Sequence, residues 1–159
     1  MIPMDRLTWR GALGVVLLFL PWTLSAAPGA LKITNDVPLT FGTLIAGSTA
    51  GTVTVSSSGT TTTTGGVIAF GAGAAPASFT ISLDKGKTDY SIQLQSSLNL
   101  TGTGAPMPVN LVESTPPSGG RIRAKTGDEV MTVGATLHVA ANQAAGSYSG
   151  TFNVTVTNE

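Results

Sequence analysis

His138 is the one histidine in 159 residues, and the chain has no cysteine. Groups able to do chemistry near neutral pH are therefore few. A hydrolase needs a nucleophile, a base and an orienting group. Serines and threonines are plentiful, but His138 falls on a polar position of the alternating run 131–139, facing away from the expected core. No Gly-x-Ser-x-Gly elbow occurs. Zinc sites want several His, Cys or acid ligands, which one histidine without cysteine does not supply. Asp128-Glu129 is an adjacent acid pair that could touch calcium together with backbone carbonyls, but at the start of a strand it reads as solvated. The glycines are scattered in turns, and no glycine-rich run leads into a helix with a lysine, so nucleotide binding has no support. The expectation is no catalytic residue, no cofactor, no metal and no small-molecule substrate.

Arg121, Arg123 and Lys125 are the remaining charged constellation. A spacing of two puts them on one face of a strand. There they suit contact with an anionic partner, such as lipopolysaccharide or an acidic neighbour subunit. Charges on an edge strand also discourage unwanted pairing, and that reading is the favoured one. Asn99-Leu100-Thr101 and Asn153-Val154-Thr155 match the glycosylation pattern and are taken as chance.

The elements that would position such residues are strands. Strict alternation of apolar and polar residues marks a strand with one buried face. Tyr148, Gly150, Phe152, Val154 and Val156 alternate with serines, threonines and Asn153. Met131, Val133, Ala135, Leu137 and Val139 alternate just before them. The short link 141–146 predicts that the two runs form a long hairpin. Phe79, Ile81 and Leu83 turn through Asp84-Lys85-Gly86-Lys87 into Tyr90, Ile92 and Leu94, which predicts a second hairpin. Further strands are expected over Leu31–Phe41 (with Pro38 marking an edge or bulge), Val53–Val55, Val67–Phe70, Met107–Leu111 and Ile122–Ala124. Thr60–Thr64 reads as an exposed strand or loop, at an edge. About seven to nine short strands, with turns at regular spacing, predict an all-β, Ig-like antiparallel β-sandwich.

Ahead of this domain lies an export signal. Arg6 and Arg10 precede an apolar run, Gly11–Leu20, which ends at Pro21 with small residues at Ser25, Ala26 and Ala27. A spanning helix needs about 20 apolar residues, more than this run offers. Residues 1–26 are expected to form a signal-peptide helix, cut after Ala26 or Ala27, and 27–159 a single domain. No cysteine lies near the cut, so a lipid anchor is excluded. No second apolar stretch follows, so the processed chain is expected to have no transmembrane segment. Beyond residue 26 six basic residues face seven acidic ones, a net charge of −1, so nucleic acid finds no electrostatic attraction.

Phe41-Gly42-Thr43, Ala46-Gly47 and Gly51-Thr52-Val53-Thr54-Val55 form one familiar block. Val133-Gly134-Ala135-Thr136-Leu137 followed by Asn142-Gln143-Ala144-Ala145-Gly146-Ser147-Tyr148-Ser149-Gly150-Thr151-Phe152-Asn153-Val154-Thr155-Val156 is the second. Together they resemble a bacterial family catalogued as domain of unknown function 4402, over nearly the whole processed chain. The resemblance implies an exported bacterial protein, an Ig-like sandwich and no assigned catalytic residues. The Gly-x-Tyr-x-Gly-Thr ending is also similar in style to fimbrial and spore-coat-U-like subunits. The expected function is a non-enzymatic structural or adhesive surface protein, a fimbria- or coat-like subunit, in the periplasm, at the cell surface or released. Its partners would be itself or other surface subunits, joined by strand addition. The alternative is a monomeric binding module that uses loops Gly102–Pro108 and Thr115–Gly120.

Overall fold

The computed structural model describes residues 31–83, 89–123 and 127–159. The expected signal peptide, its cut, the turn 84–87 and Lys125 lie outside them. Eleven strands follow in order: β1 (Leu31–Val37), β2 (Thr40–Val55), β3 (Thr61–Ala75), β4 (Ala77–Leu83), β5 (Tyr90–Leu94), β6 (Ser97–Gly102), β7 (Met107–Thr115), β8 (Arg121–Ile122), β9 (Glu129–Val139), β10 (Tyr148–Ser149) and β11 (Val154–Asn158). Every pairing is antiparallel. The fold is the expected all-β sandwich, with more strands among the described residues than seven to nine, from two to sixteen residues long.

β9 organises the larger sheet. Met131, Val133, Ala135, Leu137 and Val139 point inward and are buried, because side chains alternate faces along a strand. One edge of β9 pairs with β7. The other edge is shared: residues 129–133 pair with β4, and residues 135–139 pair with β2. The order across this sheet is β1-β4-β9-β7-β6-β10, with β2 and β3 joined at the shared edge. A second sheet, β11-β5-β8, supplies Tyr90 and Ile92 to the same core. Phe79 and Phe152 meet edge to face between the layers, with ring centroids 6.1 Å apart at 84°, a favoured aromatic geometry.

Both expected hairpins are corrected. β9 does not pair with the C-terminal run. That run splits into β10, on β6 of the first sheet, and β11, on β5 of the second. The segment 150–153 crosses between layers while keeping one inward parity, so the alternation reads as a single strand. Likewise β4 pairs with β1 and β9, while β5 pairs with β11 and β8. β4 and β5 thus belong to different sheets. β6, with Leu98 and Leu100 packed on the core, was not anticipated.

β1 is the domain's own strand. It pairs with β4 from Leu31↔Leu83 to Val37↔Ser78, with a bulge between Asn35 and Val37 near Pro38. Leu31 and Ile33 pack on the core.

β2 and β3 form one long ribbon, where the sequence predicted separate short strands. Its pairing breaks between Ala46 and Gly51. There Gly65 adopts φ +66°, and a Cβ on it would strike the Ala50 carbonyl oxygen. Thr61 and Thr63 from one half, and Ala69, Gly71 and Ala74 from the other, line one cleft. The ribbon therefore folds back on itself at this glycine corner. A second bulge at Gly42, φ +72°, restores inward parity, so Phe41 and Leu44 both reach the core. Thr61–Thr64 lies, as expected, on an edge strand.

Candidate functional surfaces

The polar face of the large sheet is built from paired hydroxyls. Thr52 and Thr64 are hydrogen-bonded at 2.7 Å, and Thr54 and Thr136 at 2.8 Å. Such cross-strand pairs each contribute a few tenths of a kcal/mol to about 1 kcal/mol. His138 sits on this face, exposed, as its parity predicted. Its Nε2 lies 3.1 Å from Asn110 Nδ2. A shallow hollow beside it is lined by Gly51, Thr52, Pro108 and Val139. No acid and no nucleophile poised by the ring accompanies His138 there.

Ser57 lies against a carboxylate. Its backbone N–H and hydroxyl donate to Glu113 Oε1 at 2.7 and 3.1 Å, and its hydroxyl lies 3.1 Å from that of Thr115. This cluster ties the turn after β2 to β7. No imidazole joins it, so the serine has no base matched to neutral pH.

Asp128 is exposed, while Glu129 is half-buried and accepts a 2.6 Å hydrogen bond from the Tyr90 hydroxyl. Its carboxylate faces the interior between the sheets, where it serves the fold. Among the described residues no group of three or more His, Cys, Asp or Glu side chains is placed to hold a metal ion.

Arg121 and Arg123 are exposed at β8, the edge of the smaller sheet. β8 ends at Ile122, so Arg123 lies one residue beyond the strand. Arg121 Nε forms an ion pair with Asp89 Oδ2 at 2.9 Å. An exposed pair of this kind contributes about 0–1 kcal/mol and leaves the guanidinium open to solvent.

The loop 141–148 is closely tied to the loop 102–105. Gln143 Nε2 donates to Ala105 O at 2.6 Å and to the Tyr148 hydroxyl at 2.9 Å. The Tyr148 hydroxyl donates to Ala144 O at 2.8 Å, and Thr103 Oγ1 to Ala145 O at 2.9 Å. Asn142 holds φ 52°, a conformation its short polar side chain tolerates, and its N–H donates to Gly47 O at 2.8 Å. Gly104 leaves room for Tyr148, whose hydroxyl a Cβ there would approach to 2.5 Å. The Asn-Gln-x-x-Gly-x-Tyr stretch is thus a set of loop staples. The sequence offered its spacing but not its distant partners, Thr103 and Ala105 on the other loop and Gly47 in β2.

Fold and surface together define a class: an antiparallel β-sandwich whose polar clusters, among the described residues, hold strands and loops in place. A family model described as "Domain of unknown function (DUF4402)" matches residues 31–157, and the chain belongs to that family. No curated protein matches it, and no solved structure does.

Proposed function

We propose that the protein is an exported, non-enzymatic structural or adhesive surface protein, acting through its sheet faces, edges and loops. The observation that carries this reading is the use made of its polar groups. His138, Ser57, Glu113, Glu129 and Tyr148 each engage neighbours on other strands or loops, and none is arranged as a nucleophile with its base. The N-terminal charge pattern supports export. The placement of β1 refines the subunit idea. Leu31–Val37 already completes the domain's own sheet, so it is not spare chain for donation to a neighbour. Assembly would then use a preformed surface.

The test is to express the chain with its own N-terminus in a bacterium, fractionate the cells and probe them with external protease. Recovery from the envelope or medium, shortened near residue 26, is the expected result. A full-length chain retained in the cytoplasm would overturn it.

The exposed guanidiniums of Arg121 and Arg123 favour a second reading, a secreted module that meets an anionic partner. Lipopolysaccharide binding that disappears in an Arg121→Gln, Arg123→Gln variant would support it over the first.

A further inference from the structure

We propose that β3 is a self-association edge, at which a second copy of this chain adds its own β3 antiparallel across a two-fold axis. Among the described residues β3 hydrogen-bonds to β2 alone. Alternate backbone N–H and C=O groups along its other side are therefore open to another strand. Natural edge strands are usually short, charged, interrupted by proline or covered. The edges at β1, β8, β10 and β11 follow that pattern, while the short stretch Thr40–Ala46 of β2, paired with β3 alone, is likewise uncharged. β1 carries Lys32 and Asp36 and runs into Pro38, β8 bears Arg121, β10 is two residues long, and the five-residue β11 lies against β1. β3 is fifteen residues, Thr-Thr-Thr-Thr-Gly-Gly-Val-Ile-Ala-Phe-Gly-Ala-Gly-Ala-Ala, with neither a charge nor a proline.

Charge and shape point to a copy of the same chain as the occupant. An uncharged strand meets its own copy without like-charge repulsion, and the chain beyond residue 26 carries a net charge of only −1. The outward face of this half of the ribbon is apolar. Ile45 and Ile68 are directly paired, and Phe70 follows two residues along. They are exposed by 49%, 61% and 65%. Antiparallel pairing through Val67–Phe70 would set these rows beside their symmetry copies, where apolar cross-strand neighbours stabilise a sheet. A two-fold pairing uses both edges and closes at a dimer. This goes beyond the surface-protein reading and holds wherever the protein resides.

The test is sedimentation equilibrium of the purified chain from micromolar to near-millimolar concentration. Wild type is expected to show a reversible monomer–dimer equilibrium. Ile68→Lys with Phe70→Lys is expected to lose the dimer with an unchanged unfolding temperature. Val130→Lys, equally exposed but on central β9, is expected to keep it. The cysteine-free background gives a second readout that adds no charge. Under mild oxidation Ile68→Cys or Phe70→Cys should yield a disulfide-linked homodimer, and Val130→Cys should not. A wild type that stays monomeric, that grows beyond dimers, or whose dimer survives the lysine pair overturns the proposal. So does an edge that binds only a different subunit, or absence of cross-linking at both 68 and 70.

Discussion

The hydroxyl of Tyr90 on β5 donates a 2.6 Å hydrogen bond to Glu129 Oε2 on β9. One polar contact thus joins the two layers of the sandwich inside its apolar core. Tyr90 is fully buried, so its ring fills core volume while its hydroxyl reaches the half-buried start of β9. A buried hydrogen bond to a charged group contributes about 1.5–3 kcal/mol. Tyr90→Phe keeps the ring and removes the donor. Urea unfolding should show a loss of about 1–3 kcal/mol with an unchanged m-value. An unaltered midpoint would show that the contact does not support the fold.

The same pair sets a response to alkaline pH. Burial, the hydrogen bond to Glu129 and its negative charge, in that order, raise the Tyr90 pKa well above its ordinary value. An unfolded tyrosine loses its proton near pH 10, to a first approximation, while folded Tyr90 keeps it. The folded pKa is the higher one, so this contribution to stability is whole below about pH 10 and is lost as pH rises from there toward the folded value. Each pH unit in that window removes up to about 1.4 kcal/mol. Unfolding free energies measured from pH 9 to 11.5 (roughly the ionisation range of tyrosine) should fall more steeply for wild type than for Tyr90→Phe. Parallel curves would contradict this.

Leu137 is 1% exposed at the middle of the core, on the strand that pairs with β2 and β7. Truncating such a side chain removes its transfer free energy and leaves a cavity. Leu137→Ala should lower stability by about 2–5 kcal/mol, read by chemical denaturation. His138, the next residue, faces solvent. His138→Ala should shift stability by less than about 0.5 kcal/mol. A large loss at 138 would mean that its contact with Asn110 carries more than a surface pairing.

The glycine corner separates two kinds of strain. Gly65 and Gly71 both hold positive φ, +66° and +76°. A Cβ at Gly71 meets nothing within 4 Å, whereas one at Gly65 meets the backbone of Ala50 and Gly51. Gly71→Ala should pay only for its backbone conformation, about 1–2 kcal/mol. Gly65→Ala should lose clearly more, because the ribbon must open at its bend. Thermal unfolding of the two variants side by side gives the comparison. Equal losses would show that the corner is free to relax.

Much of this architecture is legible in residue parity. Met131 to Val139 and Phe79 to Leu94 alternate because each strand buries one face, and that pattern suffices for an all-β sandwich. Partner choice is not written there. Tyr148 and Val154 share a parity whether 148–156 is one strand or two, so the crossing at 150–153 left no mark in the pattern. β6 alternates as a strand should, but with only two apolar residues, Leu98 and Leu100, too few to stand out from a loop. The kinked ribbon depends on Gly51, Gly65 and Gly66, whose meaning appears only once two strands lie side by side. The exposure of His138 follows from parity alone. Arg121's ion pair with Asp89 was not foreseen, since their meeting depends on β5 and β8 being neighbours.

The account centres on a sandwich that is complete without a borrowed strand, because β1 is paired and packed within its own chain. Refolding of the purified chain from urea at low concentration, with no partner added, tests this most directly. The account predicts full recovery through one cooperative transition, coincident by circular dichroism and tyrosine fluorescence. Failure to refold until a strand peptide or a second subunit is supplied would contradict it.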